Sequence, residues 1–218
     1  MDIQTYLVTQ ADLSAGRSTE DIVDAALAGG IDMVQVREKH APARQQLACT
    51  RALRGPTADA GVSLLVNDRV DIALAADADG VHLGDDDIPI EDARTLLGED
   101  AIVGRSVSTV EAAREAEAAG ADYLGVGAVY TTGSKDVDDD EQAIGLQRIR
   151  DIAAAVDIPV VGIGGITPDN AADVAAAGAD GVAVITAITQ ADDPEQATDD
   201  LTAAVASGRE RTESTTHQ

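Results

Sequence analysis

Three features of the sequence lead to a single-domain (β/α)8 barrel. First, one phrase recurs four times, as LAGGIDMVQV (27–36), LAADADGVHL (74–83), EAAGADYLGV (117–126) and AAAGADGVAV (175–184). Each copy leaves an Ala-rich helix end, passes a small residue or Gly, meets an Asp and enters alternating apolar residues. That is a helix closed at its C-cap, a short loop and a strand. The four aspartates (Asp32, Asp79, Asp122 and Asp180) are 47, 43 and 58 residues apart, about two βα units each, so four copies imply eight strands. Second, strand and helix patterns alternate strictly with short connections, which argues for a parallel sheet. Third, the apolar residues are nearly all Ala, Val, Leu and Ile, with three Tyr and no Phe or Trp. Such a core suits buried parallel strands covered by Ala-rich helices.

The elements follow in order. Strands are predicted over 3–9, 31–37, 62–67, 79–84, 101–105, 122–127, 158–163 and 179–185. Helices are predicted over 18–29, 41–60, 69–77, 89–98, 109–120, 142–156, 168–178 and 193–207. Ser18 and Thr109 each stand two residues before a glutamate at a helix start, and Pro89, Pro168 and Pro194 lie near others. Eight repeats favour closure into a barrel over the competing open, doubly wound sheet, and 218 residues suit the compact end of that architecture. The barrel is expected over 1–208, followed by a frayed polar tail over 209–218.

Composition narrows the function classes. Fifteen Lys and Arg stand against forty Asp and Glu, for a net charge of −25. Such a chain repels nucleic acid and anionic membranes, and its self-repulsion calls for screening by salt. A cytoplasmic, halophilic setting follows, with small molecules as the partners and a homo-oligomer left open. Cys49 is the lone cysteine, which rules out an internal disulfide or a thiolate metal cluster, and it reads as a small buried hydrophobe. No apolar run approaches the length needed to span a bilayer, and no secretory leader pattern is present.

In such a barrel the chemistry lies in the loops that follow the strands. The second strand runs into Gln35, Arg37 and Lys39, spaced by two on one face of an extended segment. The third ends in Asn67 and Asp68, and the fourth in Asp85, Asp86 and Asp87. Ser106 follows the fifth. The sixth leads to Thr131, Thr132, Gly133, Ser134 and Lys135, the seventh to Gly164–Gly165, and the eighth to Ile185 and Thr186. The chain has two lysines, and both fall in these loops. A strongly acidic protein that gathers Arg37, Lys39 and Lys135 at one mouth is building an anion site. The glycine pair lets backbone N–H groups approach an anion beside a helix start. Asp68 and one aspartate of the 85–87 run come from adjacent strands. Their hard oxygens beside the cations describe a Mg²⁺ that keeps waters and takes phosphate oxygens, and spacing leaves open which of the three takes part. His82, flanked by Val81 and Leu83, reads as a core imidazole bonded to a neighbouring strand. No nucleophile elbow, dinucleotide fingerprint or P-loop is present.

The phrases TYLVT, VQVREK, LLVNDRVDIALAADADGVHLGDDDIP, DYLGVGAVYTTGSK, VVGIGGIT and GADGVAVITAI, spanning about residues 5 to 190, resemble the thiamine-phosphate synthase (thiamine-phosphate pyrophosphorylase) family. The resemblance implies a TIM-barrel transferase of thiamine biosynthesis. It would join 4-amino-2-methyl-5-hydroxymethylpyrimidine diphosphate to a thiazole phosphate, releasing diphosphate with one Mg²⁺ ion per site. It implies that Gln35, Val36, Arg37, Glu38, Lys39, Asn67, Ser106 and Lys135 bind the pyrimidine diphosphate. Asp68 and Asp87 would hold the metal. Thr132, Gly133, Ser134, Gly164, Gly165, Ile185 and Thr186 would hold the thiazole phosphate. The chain departs from the family pattern with Val107–Ser108 where Thr-His is usual, and with TTGSK in the loop after the sixth strand.

The related thiazole tautomerase would need a proton-transfer group near the fifth strand, where Ser108 stands, and no aspartate pair. A non-catalytic phosphate sensor would keep the glycine turn without the metal carboxylates. Both aspartates and all three cations favour the transferase. The charge also yields a prediction. Raising KCl from about 0.1 M to about 2 M shortens the Debye length several-fold, so the thermal unfolding midpoint should climb. A midpoint that stays level or falls over that series would exclude salt adaptation.

Overall fold

The computed structural model describes residues 2–131 and 144–216. Eight strands form one closed parallel barrel in sequence order, with β8 pairing back onto β1. They are β1 (Thr5–Val8), β2 (Met33–Val36), β3 (Ser63–Asn67), β4 (Gly80–Leu83), β5 (Ile102–Val107), β6 (Tyr123–Gly127), β7 (Val160–Ile163) and β8 (Gly181–Val184). All eight fall within or across the predicted windows, most of them trimmed at the ends. The surrounding helices are α1 (Thr19–Ala28), α2 (Ala43–Ala60), α3 (Val70–Ala76), α4 (Ile90–Leu97), α5 (Val110–Ala118), α6 (Gly145–Ala153), α7 (Pro168–Ala176), the short α8 (Thr186–Thr189) and α9 (Pro194–Thr216).

Local chemistry sets the helix ends. The hydroxyls of Ser18 and Thr109 accept from the amides of Asp21 and Ala112, satisfying donors that the first turn leaves without partners. Pro89 precedes α4, while Pro168 and Pro194 open α7 and α9, where a missing N–H costs nothing.

The recurrent aspartates hold the base of the barrel. The amide of Asp32 donates to the carbonyl of Thr5 at 3.1 Å, and its carboxylate accepts from the amide of Thr5 at 2.9 Å. Asp79 makes the same two-way link with Leu64, at 2.9 and 2.7 Å. Asp122 repeats it with Val103 at 2.8 and 2.7 Å, and Asp180 with Val160 at 2.7 and 2.8 Å. Each aspartate stands just before an even-numbered strand and ties the start of the odd-numbered strand preceding it. Arg54 and Arg94 add ion pairs to Asp79 and Asp122 at 3.1 and 2.7 Å. The repeated phrase is thus a repeated joint.

Two apolar layers follow. Outward residues such as Leu7, Val34, Leu64, Val81, Val103 and Leu124 pack against the helices. Inward residues, among them Tyr6, Met33, Leu65, Tyr123, Val161 and Ala183, fill the barrel. Glycines make room for the larger inward groups. A Cβ on Gly104 would fall 2.2 Å from the Tyr123 ring, and one on Gly125 would fall 2.9 Å from the His82 ring.

Helix α9 runs past its predicted end at residue 207. Where a frayed tail was predicted from residue 209, α9 continues to Thr216. At Gly208 α9 presses closely onto α7, since a Cβ there would lie 2.3 Å from the Ala172 carbonyl. Arg209 and Arg211 also pair with Asp2 and Asp173, at 2.9 and 3.2 Å.

Candidate functional site

The strand ends opposite the aspartate joints open into one pocket. Its lining includes Tyr6, Gln35, Arg37, Lys39, Asn67, Asp68, His82, Ser106 and Ile185. Alternation along β2 and its extension turns Gln35, Arg37 and Lys39 inward. The same alternation removes two predicted residues from the pocket. Val36 packs between sheet and helices. Glu38 turns away to accept from Thr9 Oγ1 at 2.8 Å, the Ala11 amide at 2.9 Å and Thr19 Oγ1 at 3.2 Å, clasping the loop after β1. Arg37 is itself held, with its guanidinium donating to Gln10 Oε1 at 2.9 Å.

The acidic run after β4 sorts itself by geometry. Asp85 and Asp86 are exposed, and Asp85 pairs with Arg105 at 3.1 Å. Asp87 instead folds back, and its Oδ2 accepts from the Gly84 amide at 2.6 Å. Arg105 also donates to the Gly84 carbonyl at 2.6 Å, so this loop is fastened from both sides. Asp68 sits after β3 in a left-handed backbone conformation with φ of 61°, unusual for a residue other than glycine. Its carboxyl lies beside that of Asp87. Burial, then the hydrogen bond and charge of Asp87, push the Asp68 carboxyl up to about 6, against the opposing pull of Lys39 and Arg37. Two close carboxylates that resist joint ionisation make a cation-seeking site. Among the described residues no third His, Cys, Asp or Glu completes a metal-ligating group. The pair therefore fits a hard ion that draws its remaining oxygens from water and a phosphate ligand.

Ser106 lies inside β5, which runs two residues beyond its predicted end, and not in the following loop. Its Oγ is 2.9 Å from His82 Nε2. Gly164 and Gly165 have φ of 103° and 64°, and a Cβ on either would meet the 128–131 segment within 2.8 Å. Close packing demands both glycines, whatever they bind. Ile185 precedes α8 and Thr186 begins it, a short helix absent from the predicted elements. The predicted Thr132, Gly133, Ser134 and Lys135 lie outside the described residues.

Two pocket residues, His82 and Tyr6, and the buried Tyr123 behind them escaped prediction in this role. His82 joins neighbouring β5, as expected of a strand imidazole, but it also reaches Tyr123 on β6 and faces the pocket. Tyr6 and Tyr123 stand inward on β1 and β6. The only signal in the sequence was that a chain without Phe or Trp places two of its three tyrosines within strands.

Fold and mouth together define a (β/α)8-barrel enzyme whose polar groups converge beyond the C-terminal strand ends. Residues 5–188 match the model of the thiamine monophosphate synthase family. A thiamine-phosphate synthase of Natronomonas pharaonis is 65% identical over 204 residues, covering 94% of this chain and 95% of that protein. Its counterpart in Haloarcula marismortui is 60% identical, covering 96% and 100%. The structure of a thiamine phosphate pyrophosphorylase from Pyrococcus furiosus superimposes with a TM-score of 0.86 at 42% identity, covering 95% of this chain and 97% of that one. The chain belongs to the thiamine monophosphate synthase family, and it is a transferase.

The carboxylate pair gives a pH signature. A carboxyl whose folded pKa lies above its unfolded value near 3.8 holds its proton more tightly when folded. Its stabilising contribution is present at low pH and lost as pH rises from about 4 to about 6. Without divalent ions, the unfolding midpoint of Asp68→Asn should therefore gain on the parent across that interval and level off above it. A difference between the two that does not change with pH would contradict the pairing.

Proposed function

We propose that the chain joins 4-amino-2-methyl-5-hydroxymethylpyrimidine diphosphate to a thiazole phosphate, releasing diphosphate and forming thiamine phosphate. The observation that carries this reading is the Asp68–Asp87 pair set beside Arg37 and Lys39 in one mouth. A metal-bound diphosphate needs both signs of charge at one place, and a neutral ligand needs neither. Asp68 and Asp87 would hold Mg²⁺, which when bound supplies counter-charge to the diphosphate oxygens.

The remaining work falls to side chains. Arg37 and Lys39 receive the diphosphate and offset the charge that grows on it as the methylene C–O bond breaks. The electron pair leaves with the diphosphate. Gln35, Asn67 and Ser106 orient the pyrimidine, so that the thiazole nitrogen can donate its lone pair to the methylene carbon. No general base is required. Gly164–Gly165, Ile185 and Thr186 border the place assigned to the thiazole phosphate, together with Thr132, Gly133 and Ser134. Lys135 is assigned to the diphosphate. Thiazole tautomerisation, the nearest rival activity, gives no role to a metal-seeking aspartate pair. The net charge of −25 supports small-molecule substrates, and a cytoplasm rich in salt, over nucleic acid or an anionic membrane. Among the described residues no helix is long and apolar enough to cross a membrane.

Product formation and diphosphate release from the two substrates, followed across a Mg²⁺ series, test the reading. The parent should turn over only with the metal. Asp68→Ala should lose roughly 10²- to 10³-fold in rate, the usual loss for one electrostatic contact to a transition state. A metal-independent parent, or a variant with a near-parental rate, would refute it.

A further inference from the structure

The pocket is crossed by an unbroken chain of side-chain hydrogen bonds that the transferase reading leaves unused. Gln35 Nε2 donates to the Tyr6 hydroxyl. The Tyr6 and Tyr123 hydroxyls are 2.9 Å apart. Tyr123 Oη is 2.7 Å from His82 Nδ1, and His82 Nε2 is 2.9 Å from Ser106 Oγ. The path runs from β2 through β1, β6 and β4 to β5, across the barrel interior. The rings support it, with Tyr6 edge-on to Tyr123 at 5.9 Å and His82 tilted over Tyr123 at 5.5 Å. Gly104 and Gly125 supply the space that Tyr123 and His82 occupy.

Each hydroxyl in this path has one proton to give, and a neutral imidazole gives one and accepts one. Tyr6 and Tyr123 are fully enclosed, and burial above all raises both of their pKa values, so each keeps its proton. If Gln35 donates to Tyr6, then Tyr6 must donate to Tyr123, or its proton is buried without an acceptor at the cost such a group carries. Tyr123 then donates to Nδ1, and Nε2–H donates to Ser106. The outcome at the two ends is fixed. Gln35 keeps its carbonyl Oε1 for the pocket, as an acceptor, and Ser106 keeps its hydroxyl proton, as a donor. Reversing every bond and flipping the amide inverts both ends together. With a neutral imidazole, no self-consistent arrangement gives the two ends the same character.

We propose that Tyr6, Tyr123 and His82 are positioning residues that lock Gln35 as acceptor and Ser106 as donor, so that the pocket selects a ring edge presenting a donor beside an acceptor. An aminopyrimidine has that edge, with the exocyclic N–H donating to Gln35 Oε1 and a ring nitrogen accepting from Ser106. This rests on the transferase reading for the ligand, but the polarity of the relay belongs to the ligand-free protein. Tyr123 is enclosed, Tyr6 and His82 border the pocket, and all three act through Gln35 and Ser106.

Two measurements on the full chain test the relay. In ¹⁵N-labelled protein at neutral pH, two-bond ¹H–¹⁵N spectra should show His82 as the Nε2–H tautomer, the signal being assigned by its loss in His82→Gln. The Nδ1–H tautomer would overturn the proposed polarity, whether or not any variant folds. Kinetically, Tyr123→Phe should raise the KM for the pyrimidine diphosphate about tenfold and leave that for the thiazole phosphate within about twofold, tenfold being about 1.4 kcal/mol of binding. The effect of Ser106→Ala should shrink by a similar factor in the Tyr123→Phe background, because the two act as one unit. Equal weakening of both substrates, or independent effects of the two substitutions, would overturn the relay. A parent that turns over neither substrate would instead defeat the transferase reading, and the imidazole spectrum would still decide the relay.

Discussion

The molecule depends on where its strands begin. A strand of four to six residues has little length in which to correct a register error, and a one-residue slip turns every inward side chain outward. Here the register is set at the base by Asp32, Asp79, Asp122 and Asp180. Each uses its amide and carboxylate on the two main-chain groups of a single partner residue. Four joints between odd and even strands leave the other four seams to ordinary parallel pairing. Because the barrel is closed, order at the base is carried to the mouth. A slip at β2 would send Gln35, Arg37 and Lys39 into the helical layer and bring Val36 and Glu38 inside.

The aspartates consequently divide into two populations with opposite electrostatic conditions. Those at the base meet main-chain donors and, at Asp79 and Asp122, an arginine. Ionisation there is matched by N–H groups that have no better use. Those at the mouth, Asp68 and Asp87, meet each other. Asp87 is matched by the Gly84 amide, but Asp68 has only the partial pull of Lys39 and Arg37 against burial and its neighbour's charge, which is why a cation and an anionic ligand suit the place together. The Arg105 bonds to Gly84 and Asp85 keep the Asp87 loop from relaxing outward into solvent.

The fold was legible because its information is periodic. The four repeats, the aliphatic alternation and the proline and hydroxyl helix starts all survive without three-dimensional knowledge. The site was legible where strand parity or strand ends decide it, as for Gln35, Arg37, Lys39, Asn67 and Asp68. It was obscure where a turn decides, since nothing in GDDD indicates that Asp87 folds back to the Gly84 amide while Asp85 and Asp86 face solvent. Val36 and Glu38 came with the family resemblance as part of the QVREK block, although alternation puts them on the face opposite Gln35, Arg37 and Lys39. The Tyr6–Tyr123–His82 path was invisible for another reason. Its members are 117 and 41 residues apart, and only barrel closure brings them together. The close approach of α9 to α7 at Gly208 was likewise invisible, because it depends on a contact between distant segments.

If base aspartates make the barrel while mouth aspartates serve the ligand, Asp122→Ala should separate the two roles. The substitution strips the Val103 amide of its acceptor and removes the Arg94 pair. A donor left without its acceptor costs about 1–3 kcal/mol, which for a chain of this length lowers the unfolding midpoint by roughly 2–12 °C. Thermal unfolding should show that fall, while turnover measured well below the midpoint stays at the parental rate. An unchanged midpoint, or a rate that drops while the fold is intact, would contradict the division of labour.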